Sequence, residues 1–211
     1  FRFATGSKSV SNPLHPQTSC IQLNPGSTTP DKDKNDMDST TLEKLLTHLI
    51  DEVGGDWLVA GGTLVRLIFD SSRGTEDIDL LRIRHPVDSN EVSLDKLYQF
   101  ALSIGSGPEW INTAMAPFVR AAPGWESHIV PLRRGKSGTL HRPTLTLFAY
   151  LKLERGSEID IQDLEKAFQL TQKRPEEFSE KTLEGWLSLE GKKLWLTLRP
   201  RLLQALAKNP A

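Results

Sequence analysis

The stretch Leu58-Val59-Ala60-Gly61-Gly62-Thr63-Leu64, followed after a helical interval by Arg73-Gly74-Thr75-Glu76-Asp77-Ile78-Asp79-Leu80-Leu81, decides how this chain folds. Trp57 to Ala60 is a short apolar run stopped by two glycines, the pattern of a buried strand entering a tight turn. From Thr63 to Phe69 the spacing of Leu64, Leu67 and Ile68 becomes helical. Ser71 to Gly74 reads as a loop, and Asp77 to Ile83 as a second strand. Alternation along that strand projects the carboxylates of Asp77 and Asp79 from one face while Ile78 packs behind. Two close like charges are costly unless a cation sits between them. Oxygen donors of this kind suit Mg²⁺ or Mn²⁺, ions that typically bridge a nucleoside triphosphate. Gly61-Gly62 lets backbone amides approach a ligand, and the N-terminus of the following helix favours an anion such as phosphate. Each half alone has a plain alternative, an ordinary turn or the acidic start of an edge strand. Their succession is far more specific than either.

Outward from this stretch, the preceding segment is helical. Thr40 and Glu43 have the spacing of a capping box. Leu42, Leu45, Leu46, Leu49, Ile50 and Val53 recur on one helical face, and Gly54-Gly55 ends it. Downstream, Leu94 to Ile104 is expected to be a helix, and Pro108 to open another containing Trp110, Ile111 and Met115. His128 to Leu132 and Thr139 to His141 suggest two strands around the turn Arg134-Gly135-Lys136-Ser137-Gly138. Helices are then expected over 144–155, 159–170, 175–189 and 192–206. Strands come early and helices late, without an internal repeat. This order predicts an α+β protein: a small mixed sheet flanked by helices, with a helical C-terminal half. The expected division is a core over residues 37–142 and a helical part over 143–211 packed on it.

Residues 1–36 read differently. They are rich in Ser, Thr, Pro, Asn and Gly, lack apolar periodicity, and end near the alternating run Asp31-Lys32-Asp33-Lys34. Such a segment buries too little apolar area to offset its ordering entropy, so a disordered leader or tag is expected, with the folded part starting near Met37. A genuine arm that docks elsewhere is the alternative.

The whole chain has 211 residues, 26 basic and 27 acidic groups, and one cysteine, Cys20. A single thiol excludes an internal disulfide and a cysteine-based zinc framework. The net charge of −1 argues against a protein that coats nucleic acid generally. No apolar run approaches the length needed to cross a bilayer, and the start lacks a secretory apolar segment. A cytoplasmic protein without a membrane partner is expected.

Strand, Gly-Gly, helix and Asp-x-Asp on the next strand together resemble the signature of the nucleotidyltransferase superfamily. The form Arg73-x-Thr75-x-Asp77-Ile78-Asp79 looks most like its minimal bacterial branch, which includes AbiEii-type toxins of toxin–antitoxin and abortive-infection systems. Lys152-Leu153-Glu154-Arg155 followed by Asp160-Ile161-Gln162-Asp163 is similar to a second motif of that branch, and Trp110-Ile111-Asn112 to a third, less specific one.

The resemblance implies transfer of a nucleotidyl group from an NTP to an acceptor, with Asp77 and Asp79 holding Mg²⁺ or Mn²⁺. Gly61, Gly62 and Thr63 would cradle phosphates, with Arg73 and Thr75 nearby. Arg73 would contact the nucleotide or brace the Asp strand. Lys152 would reach the triphosphate as a point charge. Asp160 and Asp163 would orient Lys152 or serve the acceptor site, unless they simply complement a helix dipole. The family pattern also calls for a third carboxylate on a neighbouring strand. The expected strands carry no acid, and Glu126 is the best substitute, although it reads more simply as a loop glutamate beside Trp125. Acceptors implied are a tRNA or other RNA end, or a protein hydroxyl, and a cognate antitoxin or toxin is an implied partner. Arg133, Arg134 and Lys136 form the stretch best suited to an RNA acceptor. Two alternatives stand beside this reading: a catalytically silent partner protein of the same fold, and an enzyme that modifies a small molecule such as an antibiotic.

Overall fold

The computed structural model describes residues 37–84, 90–170 and 175–207. The expected leader with Cys20 lies outside the described residues. Helix α1 (Ser39–His48) continues through one wider turn, Leu49–Val53, which closes on the bond from Gly54 N to the Leu49 carbonyl. Its apolar stripe is buried throughout. The cap, however, is Asp38, whose Oδ1 accepts the amides of Thr40 and Thr41 at 2.8 and 3.0 Å. The cap therefore sits two residues before the expected Thr40, because one Asp38 carboxylate oxygen accepts two free amides of the first turn.

Strand β1 (Gly55–Val59) leads into helix α2 (Gly61–Ile68), and strand β2 (Ile78–Arg84) returns antiparallel to β1. Helix α3 (Asn90–Ser103) follows. The helix expected from Pro108 is not continuous. A single tight turn, Pro108–Trp110, is followed by the two-residue strand β3 (Ile111–Asn112), and helix α4 spans only Ala116–Ala121. Asn112 is the cause: its Oδ1 accepts the Ala114 amide at 2.9 Å, offering the backbone a local turn in place of a helical bond. Strands β4 (Ile129–Arg134) and β5 (Gly138–Pro143) form the expected hairpin.

The sheet order is β3-β2-β1-β5-β4. β1 is parallel to β5 and β2 to β3, whereas β1–β2 and β4–β5 are antiparallel. The observed class is thus α+β, a five-stranded mixed sheet flanked by helices. Trp57, Leu58 and Val59 of the central strand are fully buried.

Beyond the sheet run helices α5 (Leu145–Arg155), α6 (Glu158–Leu170), α7 (Glu180–Trp186) and α8 (Leu189–Ala207). The helix expected over 175–189 divides, because Ser179 caps α7 by accepting the Thr182 amide, while its own amide donates to Thr146 Oγ1 at 2.8 Å. One continuous apolar cluster joins Leu46, Trp57 and Leu140 to Phe148, Phe168 and Trp195. The boundary at 142/143 therefore marks a change of secondary structure and not a break in the core. Among the described residues, no helix is long and apolar enough to cross a membrane.

Candidate functional site

The site forms where β1 ends and β2 begins. Ala60 N donates to the Asp79 carbonyl at 3.1 Å, holding the two strand ends together beneath the glycine turn. Gly61 has φ of +60°, and a Cβ built there would lie 1.6 Å from Asp79 Oδ2. Glycine is required twice over, for the left-handed backbone and for the close approach of the carboxylate. Gly62 lies beside Thr75 and the Arg73 guanidinium.

Asp79 is only 9% exposed. Burial, reinforced by the charge of Asp77, pushes its carboxyl up to about 6, against the opposing pull of Arg155 and Lys152. Asp77 is held at both ends. Its carbonyl accepts the hydroxyls of Thr63 and Thr75, each at 2.7 Å, and its Oδ2 accepts Asn112 Nδ2 at 2.8 Å. Thr63 and Thr75 are buried, so they brace the Asp-bearing strand. Their hydroxyl protons are thus given to the Asp77 carbonyl, and neither residue lines the cleft that holds Asp79, unlike the expected phosphate cradle.

Asn112 is the residue that sequence reasoning did not assign. On β3 it stands in register with Asp79, and its amide orientation is fixed by bonds on both sides. The strand beside the Asp pair thus carries an amide where an acid was expected. The only signals for it were the Trp110-Ile111-Asn112 similarity and Pro108. Glu126 is corrected as well. It lies exposed on the turn Trp125–His128 leading into β4, at the sheet edge remote from β2, and does not line the cleft.

A chain of ion pairs flanks the Asp pair. Lys152 Nζ donates to Asp160 Oδ1 at 2.9 Å and to Asp163 Oδ2 at 2.7 Å, and all three side chains are buried. Arg73 Nε reaches Asp163 Oδ1 at 3.4 Å. Arg155 Nε reaches Asp160 Oδ2 at 3.2 Å, and Ser157 Oγ donates to the same oxygen at 2.6 Å. Burial alone would raise the Asp160 carboxyl, but bonds from Ser157 and Lys152 and the charges of Lys152 and Arg155 hold it below its ordinary value. Asp160 therefore orients Lys152 and Arg155, the first of the roles expected for it, and its fully buried side chain offers no surface to a nucleotide. Lys152 reaches the cleft wall with two of its three donors spent. The side chain of Arg155, 56% exposed, is the more open cation lining the same cleft.

The remaining basic candidates lie elsewhere. Arg133 is paired with Glu43 at 2.8 Å, and the Lys136 amide donates to Asp51 Oδ1 at 2.9 Å. Gly138 pairs with Gly55, so this turn sits at the end of β1 opposite Gly61. It is docked on the helical wall and is not beside the Asp pair.

Among the described residues, no group of three or more His, Cys, Asp or Glu side chains converges on a metal position. Two carboxylates remain, one of them kept from ionising easily until positive charge arrives. Carboxylate oxygens of this type suit a hard divalent cation, with Asp79 on the cleft wall and Asp77 joined to the neighbouring Asn112. Compared with known proteins, the chain matches no family model, no curated protein and no solved structure.

Proposed function

We propose that this protein is a metal-dependent nucleotidyltransferase with a nucleotidyltransferase-like core of the minimal AbiEii type. It moves a nucleoside monophosphate from an NTP to a hydroxyl on an RNA or tRNA end or on a protein. The observation that supports this reading is the close approach of the Asp79 carboxylate to the Gly61 backbone, which brings a buried acid and a glycine turn at a helix start to one spot.

Asp77 and Asp79 would hold Mg²⁺ or Mn²⁺, which supplies neutralisation of charge on the phosphate oxygens. Asn112 keeps Asp77 aimed, and the Gly61-Gly62 amides receive phosphate. Arg155, oriented by Asp160, gives a charge-assisted contact to the triphosphate, with Lys152 behind it. The acceptor hydroxyl attacks the α-phosphorus and releases its proton to solvent, while the bond to the bridging oxygen breaks and pyrophosphate leaves. A cytoplasmic toxin–antitoxin or abortive-infection setting accords with this chemistry. A second reading is favoured by Asn112 itself: with an amide on the neighbouring strand, the protein binds NTP as a catalytically silent partner.

The test is transfer of label from each α-labelled NTP to total RNA and to protein in Mg²⁺. Transfer by wild type and its loss in Asp77→Asn and Asp79→Asn is the expected result. Binding without transfer selects the silent reading. No Mg²⁺-dependent binding at all, or variants that behave like wild type, overturns both.

A further inference from the structure

The cleft containing Asp79 is lined by two chemically distinct kinds of surface. Gly61, Asp79 and Arg155 present backbone and charge, and Ala114, Met115 and Phe118 present apolar surface. Phe118 stands out there because it is 58% exposed on α4, a helix whose neighbouring Val119 is fully buried. Val119 anchors the helix, so the Phe118 ring contributes little to holding it. The other large apolar side chains with high exposure, Val92, Leu102, Ile159, Leu189 and Leu196, do not line this cleft. An exposed ring beside a charged floor complements a ligand that is anionic at one end and flat and aromatic at the other.

We propose that Phe118 is the stacking platform for the base of a bound nucleotide, forming a subsite distinct from the phosphate and cation positions. The inference rests on the nucleotide-binding reading above and adds the residue that recognises the base. A base is flat, polarisable and wide enough to cover the exposed ring, and base–aromatic stacking is tolerant of base identity because every base has a π-face. The ring thus supplies affinity for nucleotides over inorganic polyphosphates, which offer the same anionic end with nothing to stack.

The experiment is calorimetric titration in Mg²⁺ with two probes, a non-hydrolysable ATP analogue and inorganic tripolyphosphate. Phe118→Ala should weaken the analogue on the order of tenfold and leave tripolyphosphate unchanged. Phe118→Tyr, which keeps the ring, should bind the analogue like wild type. Because the side chain is exposed, both variants should melt with wild type, which a thermal scan checks. An analogue affinity unaltered in Phe118→Ala overturns the stacking site, as does equal weakening of both probes. Wild-type protein that binds the two probes equally also overturns the stacking site, while leaving the nucleotide reading in place. Wild-type protein that binds neither probe overturns the nucleotide reading, and the subsite falls with it.

Discussion

Replacing Asp79 by asparagine removes a charge that the folded protein holds at a cost, so the metal-free variant should be the more stable of the two. The carboxyl is displaced upward from 3.8 to about 6, by burial first and by the charge of Asp77 second. Each pH unit of such displacement corresponds to ~1.4 kcal/mol, so ionised Asp79 destabilises the fold by about 3 kcal/mol at neutral pH. The sign follows from linkage. Below 3.8 the group is protonated in folded and unfolded chains alike and the penalty is absent. As pH rises toward 6 the unfolded chain has already released its proton, the folded one resists, and stability falls. Above about 6 the penalty is complete. For a chain of this size 3 kcal/mol corresponds to a Tm difference of roughly 6–12 °C. Thermal melts of wild type and Asp79→Asn with EDTA, at pH 8 and pH 4, give the measurement. The variant should melt higher at pH 8, and the offset should shrink to ~0.5 kcal/mol at pH 4. A variant that melts at or below wild type at pH 8 refutes the reasoning, as does an offset equal at both pH values. The same substitution abolishes the proposed transfer, the exchange of stability against activity common at functional sites.

Three further perturbations probe the frame. Gly61→Ala should destabilise by ~1–3 kcal/mol through its strained backbone and the clash with Asp79, and should abolish divalent-cation binding measured by titration. Gly185→Ala in α7, where an added methyl meets nothing within 4 Å, should stabilise by ~0.5–1 kcal/mol in urea denaturation and so controls for the effect of a methyl group alone. Lys152→Met leaves Asp160 and Asp163 buried without their shared cation and should cost ~3–5 kcal/mol. Partial recovery in Lys152→Met/Asp163→Asn, followed by urea denaturation, distinguishes a lost ion pair from lost packing.

The parts of the fold that sequence made legible are those with a period or a punctuation. The stripe from Leu42 to Val53, the glycine stop at Gly61-Gly62, and the strand after Asp77 each leave a pattern that survives without tertiary information. What escaped is what depends on neighbours. A strand of two residues has no period, so β3 reads as helix, and Asn112 with it. Glu126 was assigned by proximity to a strand, but only the sheet order shows which strand flanks the Asp pair, and that is β3. Thr63 and Thr75 have the residue types of phosphate ligands, yet their burial on the Asp77 carbonyl comes from packing of α2 on β2. Lys152, Asp160 and Asp163 were recognisable as a group, and their direct bonds make them a buried strut between α5 and α6.

The two edges of the sheet have a consequence for assembly. One edge is β3, only two residues long. The other is β4, where Pro131 removes an amide donor and the register with β5 slips just after it. Such interruptions are how folded chains discourage edge-to-edge growth into fibres. A protein partner, an antitoxin included, would meet among the described residues an edge of two residues at β3 and one interrupted by Pro131 at β4, so side chains and helix surfaces are the larger recognition area there.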